Sequence, residues 1–91
     1  MRIERVEILS DRTNAAVMRH PGRKFPGVLV QGDTLSNYCR IADDACQNLK
    51  GGDTAEAFEE LNELRNMLRD QLTNYKVALG EHDIPLPFTE Y

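Results

Sequence analysis

The sequence has no tryptophan, two cysteines and two histidines among 91 residues. No stretch approaches the ~18 consecutive apolar residues of a membrane-spanning helix. The first nine residues, MRIERVEIL, alternate charged and apolar side chains, unlike the continuous apolar segment of a secretory signal peptide. We therefore predict a single cytoplasmic domain without a membrane segment.

The few cysteines and histidines lack the spacing of a metal site or of a nucleophilic centre. Zinc sites use clustered ligands such as paired Cys-x-x-Cys, and Cys39, Cys46, His20 and His82 do not cluster in this way. Seven helical residues rise about 10 Å, which is too far for a disulfide between the two cysteines. We expect both thiols to be buried and reduced, and we predict no metal, no cofactor and no catalytic residues.

Charge of each sign is concentrated in a different part of the chain. The first 32 residues carry six basic and three acidic side chains, whereas residues 33–91 carry five basic and twelve acidic ones, giving −4 in total. The larger acidic part would repel phosphates, which argues against nucleic-acid binding.

Apolar periodicity predicts three strands followed by two helices. Residues 2–9 alternate, and 27–31 (GVLVQ) is a short apolar run typical of a central strand. Asp33 or Thr34 is expected to cap the first helix, Gly51-Gly52 ends it, and Asp53 caps the second, with Glu56 three residues on. The predicted strands are about 2–9, 15–19 and 27–31, the helices about 34–50 and 53–79, and the extended tail 81–91.

This order predicts an α+β fold, a small antiparallel sheet of two or three strands packed against a C-terminal two-helix hairpin. Short connections between the strands favour antiparallel pairing, because a parallel crossover needs a dozen or more residues. The helices are the available cover for one sheet face.

Two Pro-Gly pairs lie between the second and third predicted strands. His20-Pro21-Gly22-Arg23 and Phe25-Pro26-Gly27-Val28 both fit the pattern of a type II turn. They predict either a rigid strand connector or a preorganised loop that presents Arg23, Lys24 and Phe25 to an acidic partner or an anion.

The same stretch carries a resemblance to a family of short bacterial proteins of unknown function. The shared pattern is R-x-F-P-G-V-x-x-Q-G-D-[ST]-L, followed by two helices and an ending H-x-I-x-L-P-[FY]. The matching residues are Arg23, Phe25, Pro26, Gly27, Val28, Gln31, Gly32, Asp33, Thr34 and Leu35, then His82, Ile84, Leu86, Pro87 and Phe88. The resemblance implies a bacterial stand-alone domain and no particular activity.

Glutamates crowd the first half of the second predicted helix without basic residues three or four positions later. Glu56, Glu59, Glu60 and Glu63 therefore form either a solvated face or a candidate interface for a basic protein partner. The length of this helix, about 40 Å, also suggests that its apolar stripe joins a homodimer.

These features favour a non-enzymatic protein-interaction module. A bacterial immunity or antitoxin-type inhibitor with an acidic helical face is one concrete version. The alternatives are a sensor of small ligands or anions that uses the Pro-Gly loop, an enzyme assembled across a dimer interface, and a structural dimer.

Overall fold

A computed structural model describes residues 1–90 and confirms the α+β fold. The elements in chain order are the strands β1 (Glu7–Ser10), β2 (Ala16–Arg19) and β3 (Gly27–Leu29) and the helices α1 (Gly32–Lys50) and α2 (Thr54–Glu81). The chain divides into two compact units. One contains residues 1–30 and those from 72 onward, and the other contains residues 31–71. The single domain expected from chain length stays a prediction.

The three strands form one antiparallel sheet in the order β1-β2-β3. Val17 of β2 pairs with Val28 of β3, and the register between β1 and β2 shifts between Ile8 and Ser10. The prediction that residues 27–31 form a central strand is wrong, because β2 is central and β3 is an exposed edge that ends at Leu29. The first strand also begins at Glu7 instead of residue 2. Alternation alone shows a strand-forming pattern, but pairing with β2 decides where the strand begins.

The core of the first unit lies between the sheet and the last turns of α2. Val17 and Leu79 have fully buried side chains, and Tyr75 and Ala78 are buried with them. The spacing of positions 75, 78 and 79 places them on one side of the helix, which faces the sheet. Three half-buried residues extend this cluster, namely Leu9, Ile84 and Leu86.

Tyr75 also connects the core to the Pro-Gly loop. Its hydroxyl donates a hydrogen bond of 2.8 Å to the carbonyl oxygen of Pro26, and its ring stacks on Phe88 with centroids 6.2 Å apart. Burial raises the pKa of the Tyr75 phenol above its ordinary value.

The second unit is a hairpin of α1 and the first part of α2, joined by a tight turn at Gly51-Gly52. The amide of Asp53 donates to the carbonyl of Asn48 (2.8 Å), and the amide of Gly52 donates to that of Leu49 (3.1 Å). Gly52 has φ = +89°. These bonds define a Schellman motif, in which the residue after the C-cap adopts the left-handed conformation that glycine tolerates.

The predicted cap of α2 is present, whereas the predicted cap of α1 is wrong. Asp53 Oδ1 accepts a bond of 3.1 Å from the amide of Glu56, three residues later. Helix α1 begins earlier than expected, with Gln31 at the N-cap position and no side-chain capping bond. Asp33 lies inside the first turn, where its carboxylate accepts from the amide of Thr34 at 2.8 Å.

Helix α2 continues through Gly80 and ends at Glu81, two residues beyond the predicted end. The amide of Ile84 bonds to the carbonyl of Leu79 (3.0 Å), and Asp83 has φ = +54°. This is a second Schellman motif, and an aspartate occupies its left-handed position. Within residues 1–90, neither helix is both long enough and apolar enough to cross a bilayer.

Candidate functional site

Acidic side chains of both helices meet on one side of the hairpin. The amide Nδ2 of Asn48 on α1 donates to Oε1 of Glu60 on α2 at 2.8 Å. Asp44 on α1 and Glu56 and Asp53 around the start of α2 act on the same carboxylate. We call these four acids, Asp44, Asp53, Glu56 and Glu60, the acidic cluster.

The surroundings of Glu60 favour the neutral form of its carboxyl group. Desolvation of this half-buried side chain raises the pKa of its carboxyl, and repulsion from Glu56 and Asp44 raises it further. The hydrogen bond from Asn48 lowers the same pKa. Among residues 1–90, the second oxygen, Oε2, is shielded from solvent and has no hydrogen-bond partner. Proton uptake at Glu60 is therefore favoured in the folded hairpin.

The cluster contains two of the four glutamates predicted as a partner interface. Glu56 and Glu60 belong to it, whereas Glu59 and Glu63 are exposed elsewhere on α2. None of the four predicted glutamates forms an ion pair within the described residues. The sequence indicated for Asp44 an ordinary surface ion pair with Arg40, four residues earlier, and this pair is present at 3.6 Å. The sequence did not indicate that Asp44 also lies near Glu60. Its position near Glu60 depends on how the two helices align.

The hairpin also carries an apolar groove of about 330 Å³. None of its lining residues is charged, and they are Ala42, Ala45, Cys46, Leu49, Thr54, Ala57, Phe58, Leu61 and Leu64. Leu49, Phe58 and Leu61 are 59%, 62% and 58% exposed, which is unusual for large apolar side chains on neighbouring helices. We call this surface the hairpin groove.

The prediction that Cys39 and Cys46 are buried is wrong, because both are free and exposed. Their helical spacing places them on an apolar stripe, and such stripes are usually covered by the core. In this hairpin the buried side of α1 is instead centred on Ile41.

The Pro-Gly loop contains one turn, not two. The amide of Arg23 donates to the carbonyl of His20 at 2.9 Å, which closes a turn around Pro21-Gly22. It is not of type II, because Gly22 lacks the positive φ that this type requires. Gly27 is the first residue of β3, so the second Pro-Gly pair leads directly into a strand.

The predicted loop contacts Arg23, Lys24 and Phe25 lie together beside the sheet. The Lys24 ammonium is 5.4 Å from the centroid of the Phe25 ring. The backbone carbonyl of Lys24 accepts a 3.0 Å bond from the Arg19 guanidinium, whose other end pairs with Glu7 at 2.8 Å.

Both histidines contact backbone groups. Nδ1 of His20 accepts from the amide of Gly22 at 3.2 Å, and Nε2 of His82 lies 3.1 Å from the carbonyl oxygen of Leu9. In residues 1–90, no three histidine, cysteine, aspartate or glutamate side chains are grouped as metal ligands would be.

A family of unknown function (DUF6959) matches residues 1–88. The chain belongs to this family. No curated protein and no solved structure matches it. The expectation of a family of unknown function is thereby confirmed, while the R-x-F-P-G motif and a bacterial origin stay predictions.

In this member of DUF6959, several residues that carried the resemblance have structural roles. Pro26 is buried, and its carbonyl oxygen accepts a hydrogen bond from the Tyr75 hydroxyl. Gln31 is the N-cap of α1. Ile84 and Leu86 pack against the core of the first unit.

Proposed function

We propose that the protein is a non-enzymatic protein-interaction module that acts through the helical hairpin. The observation that carries this proposal is the combination, in residues 31–71, of an apolar groove and an acidic cluster in which, among the described residues, Asp44 alone forms an ion pair. Residues 31–71 contain nine acidic and four basic side chains. The electrostatic field of this net negative charge accelerates association with a basic partner and makes the complex sensitive to salt.

The acidic cluster and the exposed Glu59 and Glu63 form the proposed contact surface for this basic partner. A bacterial inhibitor of the immunity or antitoxin type, acting in the cytoplasm, is the concrete form of the proposal. Such a protein neutralises its target by covering a basic surface and needs no catalytic group of its own. The free, exposed cysteines are compatible with a reducing compartment.

Affinity capture tests this function. The tagged protein should recover one basic protein in stoichiometric amount from a lysate of its source organism, and high salt should release it. The variant Glu59→Lys/Glu63→Lys should abolish capture, whereas Glu4→Lys/Asp11→Lys, with the same charge change in the other unit, should not. Recovery that is indifferent to both salt and Glu59→Lys/Glu63→Lys would contradict the proposal.

We also propose that the hairpin groove forms a homodimer, with α2 as its main element. Leu35, Ala42 and Leu49 of α1 follow each other at intervals of seven residues, as do Leu61 and Leu68 of α2. This is the spacing with which helices pack in bundles. Five large side chains of the hairpin are about half exposed, namely Leu35, Leu49, Phe58, Leu61 and Leu68. Covering them in both copies would bury about 1,000 Å² in total, the lower limit of a specific interface.

Sedimentation velocity distinguishes the dimer from the heteromeric complex. The wild-type chain should sediment as a dimer at micromolar concentration, and Leu61→Glu should sediment as a monomer. Because Glu59→Lys/Glu63→Lys leaves the groove intact, it should remain dimeric. A wild-type monomer at all concentrations would exclude the dimer and leave the basic-partner proposal standing.

A further inference from the structure

The Pro-Gly loop and the neighbouring strands form a surface that the hairpin function does not use. An apolar cleft of about 380 Å³ is lined mainly by Val6, Met18, Phe25, Pro26, Val28 and Leu29. A second cleft is lined by four cationic side chains, Arg5, Arg19, Arg23 and Lys24, together with His20 and one acidic side chain, Glu7. The two clefts share Val6, His20 and Arg23, so they form one continuous surface, apolar at one end and cationic at the other.

Strand β3 lies along this surface, and within residues 1–90 no strand other than β2 pairs with it. It pairs with β2 on one side, and all three of its residues, Gly27–Leu29, are exposed. A free strand edge presents unpaired backbone N–H and C=O groups that can bond to another extended chain. Charges and prolines normally protect such edges, and β3 itself contains neither. Addition of a strand is a common mode of peptide recognition, in which adjacent clefts select the side chains.

The charges of the surface indicate the sign of the partner. Arg19 is neutralised by Glu7 at 2.8 Å, whereas Arg23 and Lys24 form no ion pair within residues 1–90. Two uncompensated cations on a short loop attract carboxylates and repel a basic chain.

The loop is held in place before any partner binds. A backbone bond closes its turn between Arg23 and His20 (2.9 Å), and the Arg19 guanidinium bonds to the Lys24 carbonyl (3.0 Å). At its other end, the Tyr75 hydroxyl bonds to the Pro26 carbonyl (2.8 Å). A fixed loop loses little conformational entropy on binding, which favours affinity.

We propose that this surface binds an extended acidic segment of a partner protein. The segment adds to the free edge of β3 as a fourth strand, places apolar side chains in the apolar cleft, and directs carboxylates to Arg23 and Lys24. This interaction is independent of the acidic hairpin, which attracts partners of opposite charge.

A fluorescent octapeptide of alternating glutamate and valine is the probe for this proposal. It should bind at least tenfold more tightly than matched peptides in which lysine replaces glutamate or serine replaces valine. Bound peptide should also slow hydrogen exchange at the amides of Gly27–Leu29, since strand addition gives edge amides new acceptors. Tight binding without any added protection of these amides would overturn the strand addition.

Two variants locate the site. Arg23→Glu/Lys24→Glu should weaken peptide binding at least tenfold, and Leu29→Ser should weaken it severalfold. Lys50→Glu/Arg65→Glu changes the net charge equally in the other unit and should leave binding within twofold. Equal losses in both charge-reversal variants would overturn the proposal, because a general field and not this surface would then bind the peptide.

Competition and self-association experiments test two other possible occupants of the surface, a small anion and a second copy of the chain. Inorganic phosphate should displace the peptide no better than sodium chloride of equal ionic strength. Stronger displacement by phosphate would indicate a small-anion site instead. Concentration-dependent association that disappears in Arg23→Glu/Lys24→Glu would show that the acidic hairpin of a second copy occupies the surface. Either result would overturn the proposal.

Discussion

At the scale of single residues, Tyr75 connects three parts of the first unit. Its ring is buried beside Val17 and stacks on Phe88, and its hydroxyl bonds to the carbonyl of Pro26. Because proline lacks an amide hydrogen, this carbonyl is the one backbone hydrogen-bonding group that Pro26 contributes. The tyrosine therefore holds the loop that leads into β3.

Removing this hydroxyl should destabilise the fold. Tyr75→Phe leaves a buried carbonyl without its donor, so we expect the free energy of unfolding to fall by about 1–2 kcal/mol. Urea denaturation followed by circular dichroism measures the change. Tyr38→Phe is the matched control in the hairpin, where the hydroxyl contacts Gln71 at a half-buried position, and it should cost less. Equal losses in the two variants would contradict a special role for Tyr75.

The two left-handed residues should respond to substitution with opposite signs. Asp83 (φ = +54°) bears a conformational cost that glycine does not, so Asp83→Gly should raise the free energy of unfolding by up to ~1 kcal/mol. Gly52→Ala should lower it by about 1 kcal/mol, since a Cβ is strained at φ = +89° although nothing blocks it sterically. Urea denaturation measures both changes. A lower free energy of unfolding in Asp83→Gly would show that contacts of the aspartate side chain offset its backbone strain.

At the scale of elements, we expect the pairing of α1 with α2 to make the stability of the hairpin depend on pH. The pKa of Glu60 is raised in the folded state, so the folded protein binds this proton more tightly than the unfolded chain. The contribution of Glu60 to the free energy of unfolding is therefore fully present below the pKa of glutamate in the unfolded chain. It is lost as the pH rises through the higher pKa of Glu60 in the folded protein.

Replacing Glu60 by its neutral isostere should remove this dependence. Glu60→Gln keeps an oxygen to accept from Asn48 and ends the repulsion from Glu56 and Asp44. We expect a higher melting temperature than wild type at pH 7 and no difference at a pH below the ordinary pKa of glutamate. Glu59→Gln removes the same charge at an exposed position and should have a smaller effect. A gain that is as large at low pH as at pH 7 would rule out the ionised carboxylate as the cause.

Local patterns predicted the kinds of elements and their order, but not which faces are covered. The helical stripe of α2 and the cap at Asp53 are properties of neighbouring residues, and both are found in the structure. The edge position of β3 depends instead on sheet order, which adjacent residues do not encode. The exposure of Cys46 and the approach of Asp44 to Glu60 likewise depend on how the two helices face each other. Four glutamates could therefore be proposed as an interface, but the acidic cluster itself could not.

At the scale of the whole molecule, charge is segregated along the chain. The hairpin unit holds nine acidic and four basic side chains, whereas the first 30 residues hold three acidic and six basic ones. The two proposed surfaces thus select partners of opposite charge, and one chain offers both. The hairpin groove differs from both because its lining carries no charge.

Salt should therefore affect self-association and partner binding in opposite directions. Two like-charged hairpins repel each other, and screening reduces this repulsion, so a dimer through the uncharged groove should become more stable as salt is added. The melting temperature should then rise with protein concentration, by a few degrees for each tenfold increase, because dimerisation stabilises the folded state by mass action. Differential scanning fluorimetry over a range of chain and salt concentrations measures both effects. Leu61→Glu should lose the concentration dependence. Glu59→Lys/Glu63→Lys should keep it and should dimerise at a lower salt concentration than the wild type. A wild-type melting temperature that is independent of concentration would exclude the homodimer, whereas a concentration dependence that salt weakens would indicate that the contact joins an acidic surface to a basic one.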